Sequence, residues 1–253
     1  MFKLNNEHNE TVGIWENSKI IFQELKQEKF LRWAFFLCVG IGFYSYFISP
    51  YSDWIGNFSF LKECMFSFVS TTVFLCAAGN KRKYFFRKMG FFRLMGSALI
   101  GCIITFVFLV ISVAILTSMN YEFSSTSIVG GGGGDGRSIN YVIISSMIQL
   151  YGETMIIIFP FCFCMKILSM FMHWSKMVTV ISLVFSGVCF GLTHYSTYDG
   201  NLIQLILVIG LSSVGFLITF LRVKNIHSAY LAHVFYDGIL LFIPLLILQH
   251  YYS

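Results

Sequence analysis

Polar and charged residues collect between seven long apolar runs, each about 20 positions and so long enough to cross a bilayer as a helix. The runs are 31–49, 59–79, 94–118, 139–165, 177–194, 201–221 and 227–249. This pattern predicts an all-α polytopic transmembrane helix bundle of seven spans. A short interfacial helix is expected near 17–29, making eight. Three regions follow: a cytoplasmic N-terminal tail (1–30), scaffold spans one to three with an external Gly-rich loop (31–138), and a core of spans four to seven (139–249).

Composition agrees. Of 253 residues, 57% are hydrophobic, 29 are Phe and only 11% are charged. A soluble domain of this length cannot hide so much apolar surface, whereas a bilayer solvates it directly. Charge then supplies orientation. With the N-terminus in the cytoplasm, the inner loops hold Lys81, Arg82, Lys83, Arg87, Lys88, Arg93, Lys166, Lys176, Arg222 and Lys224, and only Lys62 and Arg137 fall outside. The positive-inside rule supports that topology, which fits a bacterial plasma membrane, and the net charge of +5 requires no nucleic-acid partner. The first run follows a mostly polar stretch and lacks a small-residue cleavage site, so it is expected to be a span and not a signal peptide. Seven cysteines show no zinc-module spacing and are expected to be buried small apolar residues.

Two other segments invite a chemical reading and lose it on inspection. Gly130 to Gly134 are consecutive glycines, but no Lys-Ser/Thr pair closes them, so a flexible linker is expected rather than a phosphate cradle. The stretch "NKRKYFFRKMGFFR" (80–93) alternates basic and aromatic residues and reads as an anchor on anionic lipid.

The chemistry lies in ionisable residues at membrane depth, where an Asp costs about 2.5–3.5 kcal/mol on insertion scales and tends to have a function. Spans one to three have none at mid-helix. Glu153 sits near the middle of span four, His194 ends span five, and His233 and Asp237 share one face of span seven at a spacing of four. The chain between them is long enough to place each on a different helix. A carboxylate can act as general base toward water, a histidine can steady an oxyanion or move a proton, and Asp237 can fix the tautomer of His233. The same residue types also suit a buried network joining three helices, or a small ion-coupled carrier, although no inverted repeat is visible. Glu153, His194 and His233 are in addition a carboxylate and two imidazoles, a ligand set for a divalent metal such as zinc, without the usual His-Glu-x-x-His helix. No cofactor is favoured over metal-free chemistry.

Three motifs in order resemble the CPBP, or Abi, family of CAAX-processing and bacteriocin-processing intramembrane proteases. That family carries Glu-Glu-x-x-x-Arg, Phe-x-x-x-His and His-x-x-x-Asn. Here the second motif is "FGLTH", Phe190 to His194, and the third is "HVFYD", His233 to Asp237, with Asp in the Asn position. The first is "GETMIII", with one glutamate: either Glu153 is its first acid, with Thr154 and Ile158 in the other positions, or its second, with Gly152 and Ile157 there. The resemblance spans residues 139–249 and implies an endopeptidase acting on a membrane-associated peptide or protein. In it Glu153 activates water, His194 and His233 assist, Asp237 orients, and Thr154, Phe190 and Gly191 support them. The implied protease is of the glutamate type in preference to a metalloprotease. The missing Glu and Arg carry the alternative of a catalytically impaired member serving as a membrane scaffold or bacteriocin-immunity protein.

Geometry sets a condition on this site. At about 1.5 Å rise per residue, straight spans put His194 about 26 Å and His233 about 9 Å from their inner ends. Tilted or broken helices are needed to bring the rings together. Ser186, Gly187 and Gly191 are expected to permit a close helix approach, and Pro160 to kink span four. The remaining histidines are expected to be bystanders: His173 in an inner loop, His227 at the start of span seven, and His8 and His250 near the termini.

Overall fold

A computed structural model describes residues 13–47, 59–123 and 139–242. The glycine run, Arg137, His8, His250 and residues 243–249 of the seventh run lie outside them. The described chain is all-helical: α1 (Ile14–Lys26), α2 (Phe30–Phe47), α3 (Ser59–Ala78), α4 (Phe91–Ser118), α5 (Ile139–Phe171), α6 (Lys176–Thr193), α7 (202–223) and α8 (Ile226–Asp237). Six of these, α2 to α7, are long and apolar enough to cross a membrane. The helix of the seventh run continues past Asp237 as a π-helical segment, Gly238–Phe242. The outer faces of the spans carry exposed Phe35, Phe68, Ile103, Val110 and Val184, side chains that a bilayer solvates and water does not.

The interior is apolar but holds small polar side chains as well. Ser182 and Thr219 are buried and donate back to the carbonyls of Val178 and Gly215 on their own helices, at 2.9 and 2.8 Å. Ser186 on α6 donates across to the Ile157 carbonyl of α5. A hydroxyl satisfied in this way costs little to bury and leaves helix faces small enough to pack closely.

The expected close approach in α6 is present and has a backbone cause. A π-helical segment, Leu205–Gly210, opens the ladder of α7. The widened turn lies against α6: a Cβ on Gly191 would stand 2.2 Å from the Leu205 carbonyl oxygen, and one on Gly187 would stand 2.6 Å from that of Gly210. Only residues without a side chain fit there.

The structure adds detail at the basic end of the bundle. The short helix expected near 17–29 is present as α1, and it packs on the bundle. Ile21, Phe22 and Leu25 of α1 are buried, and Asn17 Nδ2 donates to the Leu221 and Arg222 carbonyls at 2.7 and 3.1 Å, satisfying exposed acceptors at the end of α7. Ser18 meets Thr179 at 2.6 Å, and Lys166 Nζ of α5 donates to the Lys26 carbonyl at 3.1 Å. At 33 residues, α5 is about 50 Å long against a hydrocarbon core of about 30 Å, so its end reaches beyond the bilayer to meet α1.

The basic-aromatic stretch is only half an anchor. Phe92 is 89% exposed, but Phe85 is 1% exposed, with its ring 6.0 Å from Phe220 and parallel to it within 8°. Arg87 N–H to the Lys224 carbonyl (3.0 Å), and Asn225 Nδ2 to the Arg87 carbonyl (2.6 Å), tie this stretch to the turn between α7 and α8. Burial of the cysteines is also partial: Cys102, Cys162 and Cys164 are buried, whereas Cys38 and Cys76 face outward.

Candidate active site

Glu153 lies midway along α5, and its side chain is 14% exposed. One turn earlier, Gln149 Nε2 donates to Glu153 Oε1 at 2.6 Å, the i,i+4 spacing at which helix side chains meet. His194 forms the C-cap of α6. Its Nδ1 lies 3.2 Å from the Phe190 carbonyl oxygen, which can only accept, so the proton belongs on Nδ1 and Nε2 is left as the basic nitrogen.

His233 Nε2 lies 4.0 Å from Glu153 Oε2 and 3.7 Å from Asp237 Oδ2. Both separations are longer than a hydrogen bond, so the three groups lie close together without one between them. Thr154 donates its one hydroxyl hydrogen to the Leu150 carbonyl at 2.8 Å, so its Oγ1, 3.4 Å from His233 Nδ1, is placed to accept from that nitrogen. The imidazole is enclosed by rings, with Phe216 at 4.3 Å and Phe190 at 6.1 Å between centroids. Phe190 also meets His194 at 4.8 Å. One phenyl ring thus packs against both histidines, which lie closer together than straight spans would put them.

Glu153, Gln149 and His194 line a cavity of about 330 Å³, together with Tyr44, Lys62 and Glu63. His233 and Asp237 are not among its lining residues; His233 packs on Phe190 and comes within 4.0 Å of Glu153, and Asp237 lies beside His233. The four residues therefore form two rows, Glu153 and His194 at the cavity and His233 with Asp237 supporting them. Gly191 fixes how closely α6 meets α7, three residues before His194.

Two contributors were not visible in the sequence. Tyr44 of α2 donates its hydroxyl to the Thr193 carbonyl, holding the chain beside His194, and Lys62, Glu63 and Phe66 bring α3 into the same wall. The first two spans are therefore part of the site and not only scaffold. Aromatic and charged residues near span ends are common in membrane proteins, so nothing local marked these. Gln149 was detectable in principle, as a polar residue one turn from a buried acid. His227 stacks on Tyr151 and packs on Phe86, at 6.0 and 5.5 Å, away from this cluster.

Glu153, His194 and His233 are chemically able to bind a divalent ion. Among the described residues, however, no three His, Cys, Asp or Glu side chains gather as ligands of one metal. The Nε2 atom of His233 is turned to two carboxylates instead.

Comparison of the chain with models of known protein families, with curated proteins and with solved structures returns no match.

Proposed function

We propose that the chain is an intramembrane endopeptidase of the CPBP type, with its N-terminus in the cytoplasm of a bacterial cell. It hydrolyses a peptide bond in a membrane-associated peptide or protein. The observation that carries this reading is the placement of Glu153 and His194 on the walls of one cavity, with His233 4.0 Å from Glu153 and Asp237 3.7 Å from His233.

The chemistry follows from the donors present. Glu153 and the basic Nε2 of His194 hold a water between them, and Glu153 takes its proton as the oxygen adds to the scissile carbonyl. The proton then passes to the departing amide nitrogen as the carbon–nitrogen bond breaks, giving an amine and a carboxylic acid. Gln149 donates to Glu153 and holds its carboxylate in place, while His233 stands 4.0 Å from it with Asp237 beside the same ring nitrogen. No metal is required by these steps.

The neighbours of the first motif favour one of its two registers. Position 152 faces α3, where a Cβ would stand 2.8 Å from the Phe66 ring and 2.9 Å from Ser67 Cα, whereas position 154 reaches His233. Glu153 is therefore read as the first acid, Thr154 occupies the second position and Ile158 that of Arg.

That assignment also motivates the second reading. A hydroxyl and a fully buried Ile158 replace an acid and its cation, as in a member that binds a partner without cutting it. The experiment is cleavage of membrane-inserted peptides by purified protein in nanodiscs, scored by mass spectrometry, with Glu153→Gln and His194→Ala variants of unchanged melting temperature. Loss of cleavage in both supports the protease. Persistent cleavage in Glu153→Gln refutes it, and no cleavage by the wild type, with partner capture retained in both variants, supports the scaffold.

A further inference from the structure

We infer that an apolar cavity adjoining the candidate site is the docking subsite for large apolar side chains of a peptide, next to the bond to be cut. The inference rests on the protease reading for the identity of the reaction, not for the existence of the subsite.

The cavity encloses about 550 Å³ between α2, α3, α5 and α6, within the range of small-molecule and side-chain pockets. Ile41, Phe185 and Leu192 on its rim are exposed, so it reaches the outer apolar surface of the bundle. Its other end is the site itself: Tyr44, Phe66, Ile156 and Thr193 are walls of both this cavity and the one holding Glu153 and His194. The two cavities adjoin across these four side chains, one apolar where it meets lipid and the other polar where it meets the reacting groups.

An occupant that fills both parts needs apolar groups along one end and a hydrogen-bonding, hydrolysable group at the other. A peptide segment lying in the bilayer has this form. A phospholipid matches the apolar end only. Its anionic headgroup would enter a polar cavity whose walls, among the described residues, carry Glu63 and Glu153 against the cation Lys62, an unfavourable charge balance. Gly40 and Ser70 keep the apolar part wide. A Cβ at Gly40 meets only Val73 Cγ1, at 3.5 Å, an ordinary contact, so a larger side chain there extends into the cavity without disturbing the helix pair.

The test uses Glu153→Gln protein in phosphatidylcholine nanodiscs and a Leu- and Phe-rich peptide, capped with lysines and carrying a photoreactive leucine. Crosslinks are expected on Phe36, Val73 and Phe159. They are expected to saturate, to be lost with an Ala- and Gly-rich peptide, and to fall at least about tenfold in Gly40→Leu and in Ser70→Leu, the discrimination a few methylenes provide. Crosslinking indifferent to both substitutions overturns the inference. So does a photoreactive palmitate that labels these residues while the peptide does not, which marks a lipid site. A parallel cleavage assay with wild-type protein separates the two readings. Cavity-dependent crosslinking without cleavage removes the protease and leaves the subsite. Cleavage indifferent to side-chain size and to Gly40→Leu removes the subsite and leaves the protease.

Discussion

Replacing Gly191 by Ala tests whether the contact between α6 and α7 positions His194. The added carbon would stand 2.2 Å from the Leu205 carbonyl oxygen, 2.9 Å from its carbon and 3.4 Å from the Gly210 nitrogen. All three are backbone atoms, so no rotamer change relieves the clash. A carbon and a carbonyl oxygen rest about 3.3 Å apart, so the helices must separate by about 1 Å. Two energies oppose one another. Ala in place of Gly favours the helix by about 1 kcal/mol. Overpacking costs about 1–3 kcal/mol. The net is about 0–2 kcal/mol of destabilisation, a fall of at most about 8 °C in Tm for a chain of this size. Activity is expected to suffer more, because a displacement of about 1 Å at a reacting group costs on the order of 100-fold in rate. The assays are thermal unfolding in nanodiscs, the cleavage rate, and the distance between spin labels on α6 and α7, which reports the separation whether or not the protein cleaves. Gly42→Ala, where nothing lies within 4 Å of the added carbon, is the control and is expected to lose nothing. A Gly191→Ala protein with wild-type cleavage and an unchanged helix distance refutes the reasoning.

Three further outcomes follow from the same contacts. Gln149→Leu removes a hydrogen bond to a carboxylate worth about 1.5–3 kcal/mol, so kcat is expected to fall about 10- to 100-fold with little change in KM; an equal rise in KM contradicts a role confined to Glu153. Asp237→Asn keeps a polar group beside His233 Nε2 and is expected to retain most cleavage, whereas Asp237→Ala loses it; equal rates in the two variants argue against Asp237 as the group that positions His233. The docking of α1 is expected to depend on pH. Burial pushes the Glu24 carboxyl up, but hydrogen bonds from Lys81 and Tyr84, with the charges of Lys81 and Lys83, outweigh it and hold the group below the ordinary carboxylate range. A depressed native value means stabilisation that is complete above the unfolded value of about 4.3 and is lost as the pH falls through the native one. Lys81→Ala is therefore expected to lower Tm at neutral pH and to converge with the wild type in acid; a pH-independent difference rules out the ion pair as its cause.

The spans were legible because bilayer hydrocarbon imposes length and apolarity directly on sequence, and α2 to α7 answer to those two quantities alone. Glu153, His194, His233 and Asp237 were legible for the complementary reason, that an ionisable group at this depth is costly and stands out. What the sequence concealed is how these residues are ranked. At the level of composition His194 and His233 are equivalent. The structure separates them through Phe190, which puts one imidazole at a cavity and encloses the other. That difference depends on where α6 stands relative to α7. The position is set by Gly187 and Gly191 against a π-helical turn, and hydrophobic periodicity does not encode a backbone widening. Tyr44 and the α3 side chains were hidden more completely, since a tyrosine near a span end satisfies the interface as well as it satisfies a carbonyl. In a membrane bundle the depth of a residue can thus be counted along the chain, but the neighbour it meets at that depth is decided by helix-to-helix contact. The separate roles of His194 and His233 rest on the second kind of information, so measuring the α6–α7 separation tests them more directly than substituting the histidines themselves.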